Sequence, residues 1–485
     1  MKYITTALTK YQTLPSVVKA SFWFLLCSFL QKGIAIISTP IFTRLMTPAE
    51  FGSYSVFNSW LSILSVIFTL NLFGGVYIQG LIKFSDRQFR FSSALQGLTL
   101  TLVIFWFLIY LCFSDYCNAL LSLNTTQVCC MFLLIWLSAV FCFWSTQQRV
   151  LNKYISLVVV TLTFSLLSTL LGIIFVVLSE DKVTSRIFSL VVMQVSLYSV
   201  LFVIQMYRGK CFFDWKIWKY VLLFNIPLLP HYISSALLNT IDKIMIEKII
   251  GVAESGLYSL AFSIGFLMTL FNTAILQSVE PWLYKRIKLK NFHGVANFTN
   301  TLLIFIASVN IFLIAVAPEL IKLFAPIDYY ESIWVIPPIA MGSFFTFAYS
   351  FFVAFEFYYE KTQLIALATI IGALIKVVLN VFLLENFGYY IAGYTTLLCF
   401  MVLAGVHFYF MQCVCKENLR NYKIFDIRSL FLITITFLAI GFILLISYRE
   451  PAARYTLILV LVTVFSALYK KIINMIRGVL SLRTE

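Results

Sequence analysis

Charge is the scarce ingredient of this sequence. Asp, Glu, Lys and Arg make up 11% of its 485 residues, where a soluble domain carries about 25%. A chain with so little charge cannot cover its own surface in water. Histidine is rarer still: His231, His293 and His407 lie too far apart in sequence to suggest a local metal site. None of the ten cysteines forms a CxxC pair, so neither a zinc framework nor a disulfide scaffold is expected. Most sit inside apolar runs, as Cys27, Cys112, Cys142 and Cys399 do, and read as small packing residues. No metalloprotease helix motif, phosphate loop or dinucleotide fingerprint occurs. Enzymatic chemistry therefore has little to stand on, and no cofactor is expected.

What is present is apolar. Hydrophobic residues make up 61% of the chain, and the mean hydropathy is +0.95. Lipid is the solvent that suits such a surface, and lipid requires every backbone polar group to be satisfied internally. The apolar runs are about 20 residues long and nearly continuous, the length of a membrane helix. A membrane barrel would show short alternating segments instead. The expectation is an all-α polytopic membrane protein.

Fourteen spans are placed at about 18–42, 48–80, 92–114, 126–148, 155–178, 187–207, 219–241, 255–281, 296–318, 331–356, 362–384, 389–412, 428–447 and 453–473. The first apolar stretch is long enough to span and no small-residue cleavage site follows a short apolar core, so it reads as an uncleaved helix. Lys and Arg collect in cytoplasmic loops, which tests the count. With both termini inside, 25 of the 35 basic residues fall on the inner side, 8 fall outside, and Lys32 and Lys376 lie mid-span. The same rule explains the net charge of +15 without nucleic acid, since no basic run is long enough to line a groove. All loops are short, which leaves no room for a cytosolic ATPase domain or a large external catalytic loop.

Two segments match at an offset of 204. Pro48-Ala49-Glu50-Phe51-Gly52-Ser53-Tyr54-Ser55 and Val252-Ala253-Glu254-Ser255-Gly256-Leu257-Tyr258-Ser259 share Ala, Glu, Gly, Tyr and Ser. Both fall in the outer loop between the first two spans of a half. Six spans separate the copies, so the halves face the same way, the parallel kind of transporter repeat. The expected organisation is a six-helix bundle over 1–210, a second over 211–425, and two additional helices with a tail over 426–485. Gly52 and Gly256 suit a tight turn or close approach, and each Glu suits a helix N-terminus.

A span that lines water should carry a polar stripe at helical spacing. Ser28, Gln31, Lys32 and Thr39 form one on span 1. His231, Ser235, Asn239 and Asp242 form one on span 7, and Thr369, Lys376 and Asn380 one on span 11. Serine and threonine stripes also pack helices closely, but packing needs neither a Lys nor an Asp. A Lys at the bilayer centre costs about 2.5–3.5 kcal/mol or more, so such residues usually face a cavity on a substrate or ion path. Lys32 and Lys376 are the central cations. Arg44 and Lys243 lie nearer the outer interface, where snorkelling is an equal reading.

The run from Thr43 to Ser55, the segment Asn225-Ile226-Pro227-Leu228-Leu229-Pro230-His231, and Asp242-Lys243-Ile244-Met245-Ile246 followed by Gly256-Leu257-Tyr258-Ser259 together resemble a known family. It comprises the bacterial O-antigen and capsular polysaccharide flippases of the multidrug/oligosaccharidyl-lipid/polysaccharide exporter superfamily. The resemblance implies a multi-pass protein of the bacterial inner membrane. Its cargo would be a polyprenyl-pyrophosphate-linked oligosaccharide, moved from the cytoplasmic to the periplasmic leaflet. Membrane lipid, a repeat-unit polymerase and a chain-length regulator would be its partners in lipopolysaccharide or capsule assembly. Within that reading Lys32 and Lys376, with Gln31, Arg44, Lys243, His231, Asn239 and Asn380, would line the pyrophosphate and sugar cavity. Asp242 is the candidate for ion coupling. Two rivals are a cation or multidrug antiporter of the same superfamily, disfavoured by basic mid-span charges, and a membrane glycosyltransferase or polymerase, disfavoured by the short outer loops.

Overall fold

The computed structural model describes residues 16–419, 424–463 and 466. Among these, every regular element is helical. The helices are α1 (Ser16–Leu45), α2 (Pro48–Thr69), α3 (Gly75–Lys83), α4 (Gln88–Cys112), α5 (Ser114–Leu121), α6 (Thr125–Val150), α7 (Tyr154–Leu178), α8 (Lys182–Gly209), α9 (Trp215–Asn225) and α10 (Leu229–Ile249). They continue with α11 (Val252–Gly265), α12 (Met268–Leu289), α13 (Val295–Ala315), α14 (Ala317–Phe324), α15 (Ile336–Tyr358), α16 (Thr362–Phe387), α17 (Ile391–Asn418) and α18 (Ile427–Ile446), and with α19 (Pro451–Thr463).

Thirteen spans among the described residues are long and apolar enough to cross a membrane. This is a multi-pass membrane protein. The fourteenth expected span, 453–473, begins in α19; after Thr463 all of it but residue 466 lies outside the described residues, as do the basic residues of 1–15, 420–423 and 467–485 that entered the charge tally.

Several expected spans differ from the observed helices for visible reasons. The span over 48–80 breaks after Thr69. Leu70 and Asn71 take left-handed backbone (φ 49° and 52°), and α3 starts only at Gly75, with Gly74 before it. The span over 255–281 steps from α11 to α12 at Phe266-Leu267. Span 7 is longer than expected, because α9 and α10 join through a single 3-10 turn, Ile226–Leu228, at Pro227. Pro230, which has no amide hydrogen to give, falls in the first turn of α10, where none is needed.

Local chemistry explains the start of α2. The Glu50 amide donates to Thr47 Oγ1 (3.3 Å), and the Thr47 amide donates back to the Glu50 carboxylate (2.7 Å). Pro48 follows at the first helical position. This is a capping box, and Lys182 lies 3.6 Å from the same carboxylate. Thr47→Ala is expected to cost about 1 kcal/mol, read as a small drop in the melting temperature of purified protein. Gly52 and Gly256 sit buried inside α2 and α11 and make no turn.

The chain packs as two compact units, Met1–Thr240 and Ile241–Glu485. The division falls later than the 210/211 boundary read from the span count. The reason is α9: Ile217, Trp218 and Val221 are buried against Leu72, Tyr77, Phe91 and Leu95 of the first unit, and the Trp218 indole donates to the Ala94 carbonyl (2.8 Å). In the first unit α6 and α8 form the centre, with α2, α4 and α7 against them. In the second, α15 is the enclosed helix, packed by α11, α12, α13 and α17.

Candidate functional site

Four helices of the second unit bring polar side chains to one buried point. Asp242 is the last polar residue of the stripe on α10. Lys376 and Asn380 are one turn apart on α16, so they share a face. Tyr258 comes from the second turn of α11, and Thr395 and Thr396 from the first turns of α17.

The geometry is tight. Lys376 Nζ lies 2.6 Å from Asp242 Oδ2, and both side chains are 1% exposed. Asn380 Nδ2 donates to Asp242 Oδ1 (2.7 Å). The Tyr258 hydroxyl donates to Oδ2 (2.6 Å), and so does Thr396 Oγ1 (3.1 Å). Thr395 Oγ1 in turn donates to Asn380 Oδ1 (2.6 Å). The carboxylate therefore has one counter-charge and three neutral donors. Such satisfaction is what a buried ion pair requires, since desolvation otherwise exceeds the Coulomb gain.

The nine residues singled out from sequence separate into groups. Asp242, Lys376 and Asn380 are brought together. Lys243, next in the chain, is half-buried, with its ammonium 5.0 Å from the Phe262 ring centroid. His231 is half-buried, and its Nδ1 is enclosed without a hydrogen-bond partner among the described residues. Asn239 is exposed and donates to the Ser235 carbonyl (2.8 Å). Gln31 and Lys32 are exposed on α1, in the first unit. Arg44 is exposed too, and its guanidinium donates to the Pro40 carbonyl (2.8 Å).

One expectation changes. Lys376 was read as a cation facing an open cavity, but its ammonium is enclosed and committed to Asp242. The reason is register: with Asp242 on α10 and Lys376 on α16 at the same depth, two buried charges of opposite sign neutralise each other rather than remain separately desolvated.

Sequence reasoning missed several functional-looking groups. Tyr258 was in view as part of the repeated segment, without a role. Thr395-Thr396 is a polar pair inside an apolar run, which is a usable signal. Arg186 was placed in an outer loop, yet it is 8% exposed inside the first unit. His407 was set aside as isolated, yet its Nδ1 lies 2.9 Å from Glu356 Oε1.

The fold has known counterparts. An uncharacterized membrane protein of Haemophilus influenzae is 23% identical over 383 residues, spanning 74% of this chain and 88% of that one. Among solved structures, the lipid II flippase MurJ in an inward closed conformation superposes with a TM-score of 0.68 at 15% identity, over 92% of this chain and 99% of its own. An inward-facing multidrug resistance MATE family transporter of the MOP superfamily gives 0.61 at 14% identity, over 80% and 96%. A MOP superfamily transporter from Pyrococcus furiosus gives 0.56 at 14%, over 82% and 95%. The fold is thus one seen in flippases and transporters, and these named structures include no enzyme. The model of the polysaccharide biosynthesis protein family matches residues 17–286, more than half of the chain, and the chain belongs to that family.

Proposed function

We propose that this protein is a flippase for a polyprenyl-pyrophosphate-linked oligosaccharide, an O-antigen or capsule repeat unit. It carries that unit from the cytoplasmic to the periplasmic leaflet of the inner membrane by alternating access, with both termini inside and two parallel six-helix halves followed by two further helices. One observation carries the reading: a chain of the polysaccharide biosynthesis family has, over 92% of its length, the fold of the lipid II flippase MurJ.

The side chains support it. Lys32 and Gln31 are exposed at the middle of α1. A lysine there cannot face hydrocarbon cheaply, so it faces a polar path. With Arg44 further along the helix, it offers cations to a pyrophosphate, the charge-assisted contact that such a group requires. Asn239 and His231 on α10 supply amide and imidazole groups suited to sugar hydroxyls. Lys376 is held by Asp242, and loss of the Asp242 charge would release it. That makes Asp242 the coupling carboxylate and Lys376 the group it controls. Movement of the anionic headgroup outward is also favoured by about 2.3 kcal/mol per charge per 100 mV of membrane potential, so no ATP site is needed. A repeat-unit polymerase and a chain-length regulator would act on the delivered unit.

The test is complementation of a flippase-deficient strain with the matching sugar pathway. Lys32→Ala is expected to lower surface polysaccharide roughly tenfold or more at unchanged membrane level, the loss expected for one charged hydrogen bond worth about 1.5–3 kcal/mol, with the lipid-linked unit accumulating on the inner leaflet. Full surface polysaccharide in Lys32→Ala and in the Lys32→Ala/Arg44→Ala double variant would remove the cationic path from the mechanism. Export of a cationic drug by the wild type would favour the antiporter instead.

A further inference from the structure

A second buried ionisable pair lies in the same unit, away from Asp242. Glu356, near the end of α15, is 0% exposed, and His407 on α17 is 3% exposed. His407 Nδ1 and Glu356 Oε1 are 2.9 Å apart, and Tyr349, two turns earlier on α15, stacks on the imidazole at 5.2 Å. Glu356 Oε2 is enclosed and has no hydrogen-bond partner among the described residues. Ionisable groups inside a membrane protein are costly and mark proton or ion paths far more often than packing. Packing alone would be served by a neutral pair with no such cost.

A polar cavity lies along the same face of α17 as His407. His407, Met411 and Cys415 follow one another at four-residue spacing, on one face of α17. Met411 and Cys415 line a cavity of about 590 Å³ that also receives Gln412, Asp426 and Arg428. The Ser429 hydroxyl and the amides of Arg428 and Ser429 hold the Asp426 carboxyl below its ordinary value, so it remains charged. A cavity of that size with those groups holds water. Aromatic rings pack at its rim: Phe352 packs on Phe408 (5.1 Å) and on Phe425 (5.5 Å), and Phe355 on Phe425 (6.1 Å).

Neighbouring elements supply few competing charges. α13 carries no titratable residue, and α18 only Arg428 at the cavity. On α16, Lys376 is committed to Asp242, and the Tyr258 hydroxyl of α11 to the same carboxylate. Lys361, whose amide donates to the Glu356 carbonyl (2.8 Å), pairs through its side chain with Glu417 of α17 (2.8 Å). On α12, Tyr284 faces Tyr358 and Arg286 lies over Trp282. Glu385 on α16, Glu254 on α11, and Glu280, Lys285 and Lys288 on α12 complete the charged residues of these helices.

We propose that Glu356 and His407 form a proton-binding site loaded through the cavity at the end of α17. In the loaded state the imidazole carries both ring protons opposite the carboxylate, and the pair is neutral overall. Release of one proton to the cavity leaves a neutral imidazole still donating from Nδ1 and a net charge of −1. Histidine is the side chain suited to make this change near neutral pH. That the bound proton is coupled to movement of a cargo rests on the flippase reading; the binding itself does not.

The experiment is nitrogen-15 NMR of the full-length protein in lipid nanodiscs, labelled at its three histidines, with His407→Gln identifying the signal. In the wild type the His407 ring signals are expected to change as pH is varied across neutrality. Their midpoint should move by one unit or more in Glu356→Gln, a tenfold change in proton affinity, and by less in Glu356→Asp, which keeps the carboxylate. A His407 signal that is flat across the range in the wild type overturns the proposal. So does a midpoint that is the same in Glu356→Gln or, should that variant not fold, in Glu356→Met, which also removes the carboxylate. None of these outcomes depends on the cargo, so a flippase assay can fail while the titration succeeds.

Discussion

Lys376→Met is expected to destabilise the second unit by about 3–5 kcal/mol, the cost of leaving one partner of a buried pair without the other. Asp242 would keep the donors Asn380, Tyr258 and Thr396, which places the loss toward the lower end. Asp242→Asn should do comparable damage, because the buried Lys376 ammonium then has no counter-charge from that carboxylate. The combined Asp242→Asn/Lys376→Met variant removes both charges and should recover most of the stability, since replacing a whole buried pair by neutral groups is often close to neutral. Thermal unfolding of the four proteins gives the coupling energy directly. Strict additivity of the two single losses would mean that the pair contributes nothing as a pair. The double variant also separates folding from transport. If Asp242 is the coupling carboxylate, the doubly neutral protein should reach the membrane at wild-type levels and still fail to restore surface polysaccharide.

That outcome bears on how far such a site can be read without coordinates. The scarcity of charge and the run lengths made the all-helical membrane fold legible, because lipid leaves few structural options. The polar stripes on α10 and α16 made Asp242, Lys376 and Asn380 legible one at a time, since each breaks an apolar pattern. Their pairing was not legible. Sequence periodicity reports which face of its own helix a residue occupies, and says nothing about which face of another helix it meets. Lys376 was therefore read as an open cation, when the facing helix supplies its carboxylate. Glu356 and His407 were hidden for the same reason: each is a single polar residue in an apolar run, and only the packing of α15 on α17 joins them. The interruptions at Thr69 and Phe266 were hidden differently, because the hydropathy of 48–80 and 255–281 stays high through the break.

Arg186 shows the same limit in the first unit and carries the other large effect. Its guanidinium lies over the Phe42 ring (4.1 Å) and near Tyr54 (5.7 Å), and it donates to the Ser168 carbonyl (3.0 Å). No carboxylate pairs with it among the described residues. Counting from helix starts reveals a correspondence with the second unit. Ser168 and Lys376 hold the same place in α7 and α16, fourteen residues after Tyr154 and Thr362, and Gly172 and Asn380 both follow four residues later. Arg186 and Thr395 both lie four residues after the starts of α8 and α17, and Tyr54 and Tyr258 both six residues after the starts of α2 and α11. The first unit thus holds its buried cation on α8 instead of α7, and Gly172 is what makes room for it. A Cβ on Gly172 would come within 1.8 Å of Arg186 Nη1 and 3.2 Å of the Phe42 ring. Gly172→Ala must therefore push the guanidinium out of its place between α1, α2 and α7. Overpacking costs about 1–3 kcal/mol, and the lost charged hydrogen bond adds about 1.5–3 kcal/mol. A total of roughly 3 kcal/mol is expected, seen as lower melting temperature and lower membrane level. In the Arg186→Met background the same alanine should cost markedly less, because the thioether chain can bend away from the new methyl group. Equal costs in the two backgrounds would show that the glycine serves helix packing alone and that the arginine is not what it accommodates.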